Sequence, residues 1–171
     1  MIVRLSQKLA TKLRVRVSQA LPADPNPLAD WSANAFTADR TGYIILTNTA
    51  SLYSTVMYAR GASSDGQFLA RALSCLHEFM ADDGQEFVYQ RFVAPTTATV
   101  NFSKALNRSV TGSMNDLVFH AKFQLVERDH SPHEVSFLLN DVPFSSLDYQ
   151  KPREVFCSLV GGRWAPDGDD A

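Results

Sequence analysis

Apolar residues recur along this chain with two periods, and the change from one to the other outlines the fold. "MIVRL" at 1–5 suits a strand, and "SQKLATKL" at 6–13 suits a helix on which Leu9 and Leu13 share a face. Three segments rich in β-branched and aromatic residues follow at 32–38, 42–48 and 51–59, with turn residues between them. They predict an antiparallel meander of three strands. "KLRVRV" at 12–17 also alternates as a strand does. The stretch "LPADPNPLAD" at 21–30 is read as a surface loop, because proline lacks an amide donor and restricts the residue before it.

Beyond residue 60 the period lengthens. Phe68, Leu69, Ala72, Leu73, Leu76, Phe79 and Met80 recur at intervals of three and four, which predicts a helix opened by "SSDG" at 63–66 and closed by Asp82, Asp83 and Gly84. A second helical piece at 85–93 ends at Pro95, and "TATVNFSKA" at 97–105 suits another strand. Ser131, Pro132 and Glu134 form a capping box with a pre-set first turn, so a helix is expected at 132–140. A loop follows at Pro143, Ser145 and Ser146, Tyr149 packs, and Pro152 opens a last helix that stops at Gly161. Strand, helix, three strands, two helices, strand and three helices make an α+β chain. The expected architecture is a single domain over 1–164, mainly an antiparallel sheet with helices packed on one face, followed by a mobile acidic tail at 165–171.

Composition narrows this picture in few places. At 171 residues the chain suits one domain, and its longest apolar runs, such as "YIIL" at 43–46, are far short of the roughly 20 residues a membrane span needs. A net charge of -2 argues against a surface built wholly for nucleic acid. Arg4, Lys8, Lys12, Arg14 and Arg16 still form a local basic run, read as a solvated face. It resembles a transit peptide as well, a reading opposed by the strand-like alternation at 12–17. Cys75 and Cys157 lack the spacing of a disulfide framework or metal knuckle, so reduced thiols and a cytoplasmic location are expected. No apolar core of a secretory signal is seen. His130 and His133 beside Asp129, and His77 beside Glu78, lack metal-ligand spacing, and no metal or cofactor is expected.

The densest polar chemistry lies in "NRSVTGSMNDLVFHAK" at 107–122, just past the last predicted strand. A helix beginning near Gly112 would present free amides at Gly112, Ser113 and Asn115 to an anion, with Arg108 adding a full charge. Ser113 and Asp116 also fit the S-x-x-D capping pattern, in which side chains occupy those same donors. Asp116 and His120 stand four apart, the spacing of a carboxylate that orients a general base, although no nucleophile can be placed beside them. Alternation at Phe119, Ala121, Phe123 and Leu125 would permit a strand instead.

"DWSANAF" at 30–36, the 107–116 segment and "LNDVPFSSLDYQKP" at 139–152 together resemble a family of small bacterial proteins known only as a domain of unknown function. The likeness runs from the N-terminus to about residue 157. It implies bacterial origin, one compact domain and cytoplasmic residence, and it transfers no activity. It singles out Trp31, Asn34, Arg108, Gly112, Ser113, Asn115 and Asp116 as a group. The alternative is that Trp31 anchors the core while Asn34 and Arg108 satisfy buried backbone groups.

The function expected from these readings is a non-enzymatic binding or regulatory module, associated with mobile or defence genes. It would grip a macromolecule, whether protein or nucleic acid, or a small anion through the surface from Arg108 to Asp116. The competing expectation is an enzyme on a nucleotide or nucleic acid, with His120 as base, Asp116 as its orienter and Arg108 on phosphate.

Overall fold

A computed structural model describes residues 1–161. The expected tail at 165–171 lies outside the described residues. In chain order the elements are β1 (Ile2–Leu5), α1 (Gln7–Leu13), β2 (Asp30–Ala38), β3 (Thr41–Asn48), β4 (Ser54–Tyr58), α2 (Asp65–Asp82), α3 (Glu86–Val88), β5 (Asn101–Ser103), α4 (Arg108–Val126), α5 (Pro132–Leu139) and α6 (Pro152–Gly161). That is the order the periodicity predicts. The meander forms as expected: β2 pairs antiparallel with β3, and β3 with β4. Ala38 faces Thr41 across a two-residue turn in which Asp39 and Arg40 take φ of 43° and 64°, the sense of turn whose twist matches antiparallel strands.

The sheet is mainly antiparallel, as expected, but not purely so. From β1 the chain leaves through α1 and the proline-rich segment before it returns as β2, and a crossover of that length permits parallel pairing. β1 lies parallel to both β2 and β5, which gives a mixed sheet in the order β4-β3-β2-β1-β5. Hydrophobic period reports a strand's existence and is silent on its direction.

Helices also cover both faces of the sheet, not one. Alternate residues of a strand point to opposite faces. Val3, Leu5, Trp31, Ala33, Ile44 and Leu46 pack on one side with Leu9 and Leu13 of α1, Phe68, Leu76 and Phe79 of α2, and Phe156 of α6. Phe36, Ile45 and Val56 pack on the other with Met114, Leu117, Ala121 and Leu125 of α4 and Val135 and Leu139 of α5. Every residue from Tyr43 to Thr49 is accordingly buried. The run "YIIL" carried that signal, since a strand covered on both faces loses its polar alternation.

Local corrections follow the same physics. Lys12 and Leu13 belong to α1, and Arg14 at φ 57° ends that helix, so "KLRVRV" forms no strand. The piece at 85–93 is α3 continued by a wide π turn at Tyr89–Val93, and a 3-10 turn at Ala94–Ala98 carries the chain through Pro95. Tyr149 takes φ 60° and is exposed instead of packed. The capping box at Ser131 and Glu134 forms as expected. Among the described residues no helix is long and apolar enough to cross a membrane.

The outer edge of β4 is closed by side chains of α5. Asn140 accepts from Ser54 N and donates to Ser54 O, each at 2.8 Å, and Val56 N donates to the Ser136 hydroxyl at 2.8 Å. Ser136 and Asn140 are one helical turn apart, so they meet β4 residues two apart, and those are the ones whose backbone groups point outward. An edge treated this way offers little to a foreign strand.

Candidate functional site

Two neighbouring parallel strands, β1 and β5, send their chains to opposite sides of the sheet. After Leu5 the chain enters α1 on the face of Trp31, and after Ser103 it enters α4 on the face of Phe36. A crevice opens beyond the carboxyl ends of parallel strands where successive helices diverge in this way. This one has a volume of about 270 Å³, bounded by Ser6 and Gln7, by Asn34 of β2, by Lys104 after β5, and by Thr111 and Asn115 of α4. Among the described residues no carboxylate lines it.

Its floor is a saturated ion pair. Arg4 is 1% exposed, and its guanidinium donates to both oxygens of Asp30 at 2.8 and 2.7 Å. The remaining donors reach Leu21 O at 2.8 Å, Pro22 O at 3.0 Å and the Ser103 hydroxyl at 3.2 Å. Asp30 also accepts from Asp24 N at 3.0 Å. Burial alone would raise the Asp30 pKa, but the bonds from Arg4, Asp24 and Thr49 outweigh it and hold the carboxyl below its ordinary value. The planar, two-pronged guanidinium thus fastens β1 to β2, to the end of β5 and to the proline-rich segment. That segment is pinned at both its carbonyls and its amides. The basic run expected to be solvated therefore loses Arg4 to the interior.

The singled-out residues separate. Trp31 is fully buried, donates its indole N–H to Leu28 O at 2.9 Å and packs 6.2 Å from Phe156, the part of a core anchor. Asn34 and Asn115 both line the cleft, and among the described residues neither side chain makes a hydrogen bond. Arg108 is exposed in the first turn of α4 and Gly112 is exposed within it. Ser113 is buried on the helix's other side, where its hydroxyl donates to Ser146 at 3.0 Å. Asp116 is exposed, while His120 lies edge-on to Phe144 at 5.8 Å, and no hydrogen bond joins the two.

The helix begins at Arg108, earlier than the expected start near Gly112. Asn107 is its cap, accepting from Val110 N at 3.0 Å, and Thr111 N reaches Asn107 O. Gly112, Ser113 and Asn115 consequently sit in the helix interior, so their amides belong to the helix and Ser113 with Asp116 forms no cap. Asparagine is among the strongest capping residues, and here it comes first along the chain. The strand alternative from 119 is likewise excluded, since α4 continues to Val126. Asn34 and Asn115 thus enter the site as side chains, by a route that does not depend on helix-end amides.

Sequence reasoning missed Gln7, Lys104 and Thr111, which become neighbours only when β1 and β5 lie side by side. It also missed the pairing of Arg4 with Asp30. The signal for that pair was present in an arginine inside the apolar run "MIVRL" and an aspartate directly before Trp31. Charges flanked by core residues are almost never buried singly.

No curated protein matches the chain. Residues 2–155 match the family model described as "Domain of unknown function (DUF6933)", and the chain belongs to that family.

Proposed function

We propose that this protein is a non-enzymatic binding module and that its cleft at the carboxyl ends of β1 and β5 receives a small anion or an acidic group of a larger partner. The observation that supports the reading is the pair Asn34 and Asn115: two amides on different elements that line one concavity and have no hydrogen-bond partner among the described residues. Asn34 is half-buried and Asn115 exposed, so both amides keep water that a guest entering the cleft can replace. Sign follows from the lining, where Lys104 supplies a positive charge and no carboxylate among the described residues opposes it. The volume of about 270 Å³ suits a compact ligand. A bacterial cytoplasm is part of the same reading, supported by the free thiols Cys75 and Cys157. The enzymatic alternative needs Asp116 to orient His120, and no bond between them supports it.

Thermal unfolding in the presence of inorganic phosphate, acetate or succinate tests the proposal. A ligand at a hundred times its Kd stabilises the native state by about 2.7 kcal/mol. One of these anions is expected to raise the unfolding midpoint of the native protein and to leave Asn34→Leu and Asn115→Leu unmoved. Equal shifts in all three proteins, or no shift with any anion, would overturn it.

A further inference from the structure

The cleft lies on the α4 side of the sheet, and a second concavity lies at the same end of the strands on the other side, between α1 and α2. Its floor is the end of the meander. Ala59 N donates to Gly42 O at 2.9 Å, which carries the β3–β4 pairing one step beyond Tyr43 and Tyr58. Gly42 and Ala59 therefore stand on the same face as Ile44 and Met57, two residues nearer the strand ends. Ile44 and Met57 fill the space under the helices, whereas Gly42 and Ala59 carry almost no side chain. The face drops away there into a hollow of about 840 Å³.

Three cations surround it from three parts of the chain: Lys12 of α1, Arg71 of α2, and Arg60 in the turn that joins β4 to α2. All three are exposed. Among the described residues none of them forms an ion pair, and no carboxylate lines the hollow. Gly61 helps to place one of them. Its φ of +82° favours glycine, and a β-carbon there would stand 3.0 Å from Nη1 of Arg71. The bare turn lets the Arg71 guanidinium lie across it, where Nη2 donates to Tyr58 O at 3.4 Å. Tyr58 gives the hollow no ring, because its side chain stacks on Tyr43, and Tyr43 on Phe36, on the opposite face of the sheet.

Positive charge gathered in this way suits a guest that carries several negative charges close together. One exposed ion pair is worth little in screening solvent, so a single phosphate gains little from any one of these side chains. A chain of phosphates joined by anhydride bonds brings three or more charges on one molecule, and each contact after the first costs little further freedom of motion. Arginine meets such a group with two parallel N–H donors, and lysine adds a point charge. We infer that the hollow between α1 and α2 is a binding site for a phosphoanhydride chain, the chemistry shared by inorganic tripolyphosphate and the tail of a nucleoside triphosphate. With Tyr58 turned away, the base of a nucleotide goes unread. The site lies across the sheet from Asn34 and Asn115 and does not rest on their cleft.

Isothermal titration calorimetry of the intact protein at low ionic strength, with sodium tripolyphosphate, ATP and orthophosphate as titrants and magnesium omitted, provides the test. Tripolyphosphate should bind about tenfold or more tighter than orthophosphate. ATP should match tripolyphosphate, since both present the same chain. Lys12→Gln and Arg60→Gln change exposed side chains, so each should keep the unfolding midpoint of the unliganded protein and weaken tripolyphosphate about three- to fivefold. The double variant should weaken it about tenfold or more. Asn34→Leu should bind tripolyphosphate as the native protein does. The assignment is overturned if tripolyphosphate fails to bind, if it binds no tighter than orthophosphate, or if the double variant binds it as the native protein does. Loss of binding in Asn34→Leu would move the anion to the cleft, and ATP far tighter than tripolyphosphate would make the base the recognised group; either result also sinks it.

Discussion

Asparagine does opposite work at the two sides of this sheet. At the β4 edge Asn140 is fully buried and fully engaged: its oxygen accepts from Ser54 N, and its nitrogen donates to Ser54 O and Ser136 O, both at 2.8 Å. At the β1–β5 cleft Asn34 and Asn115 make no bond among the described residues and face open space. The difference is one of water access. A dry amide left unpaired costs a full desolvation penalty, whereas one at a wet concavity keeps water until something better arrives. Saturation therefore marks where the chain spends polar groups on its own stability, and its lack marks where it meets other molecules. The boundary runs through the cleft itself, because Arg4 in the floor is as saturated as Asn140.

Three measurements sharpen or break that contrast, and the largest effect is expected at the floor. Arg4→Met removes the cation and leaves the Asp30 carboxylate buried without its partner, a change that costs about 3–5 kcal/mol. Urea unfolding at neutral pH measures it. The pH dependence supplies the sign. In the native protein the folded pKa of Asp30 is depressed, so its stabilising contribution is complete above the ordinary value of 3.8 and fades as pH falls through the lower, folded one. In Arg4→Met burial dominates instead and raises that pKa, so acidification neutralises the stranded charge. The stability gap between the two proteins should therefore narrow as pH is lowered from 7 toward about 4. A gap that stays constant would show that Arg4 acts by packing alone.

Asn140→Leu comes next. It removes the side chain paired with both Ser54 N and Ser54 O, and two backbone groups stranded near the interior cost about 2–4 kcal/mol together. Because β4 is the outer strand, the variant should also associate with rising concentration, which light scattering detects. A loss below about 1 kcal/mol would mean that water replaces the amide, and the edge would then be no drier than the cleft.

How much of this was legible depended on the range of the interaction. Caps and periods are local, so Ser64, Ser131 and Pro152 announced their helices, and the apolar run at 43–46 already carried the double-sided burial of β3. Direction and adjacency are not local. Nothing near Ile2 or Asn101 states that the two strands lie side by side and parallel, and Gln7, Lys104 and Thr111 become neighbours only through that pairing. Between these extremes stands 107–122, whose polar density was visible but whose register was not. Asn107 and Ser113 both satisfy capping rules, and the choice of Asn107 places Ser113 against Ser146, residues away in sequence and unseen until the chain folds.

The smallest expected effect is the most discriminating. Asn34→Ala and Asn115→Ala delete side chains of the same type as Asn140, yet neither variant breaks a hydrogen bond within the described residues. Each should therefore change the stability of the unliganded protein by no more than about 0.5 kcal/mol, the usual span for a substitution at a position open to solvent. Hydrogen exchange at β1 and β5 should be unchanged for the same reason. If either variant unfolds several times more readily than the native protein, its amide was working for the fold all along, through bound water or a partner supplied by the chain. The cleft would then be a packing feature, and the contrast with Asn140 would disappear.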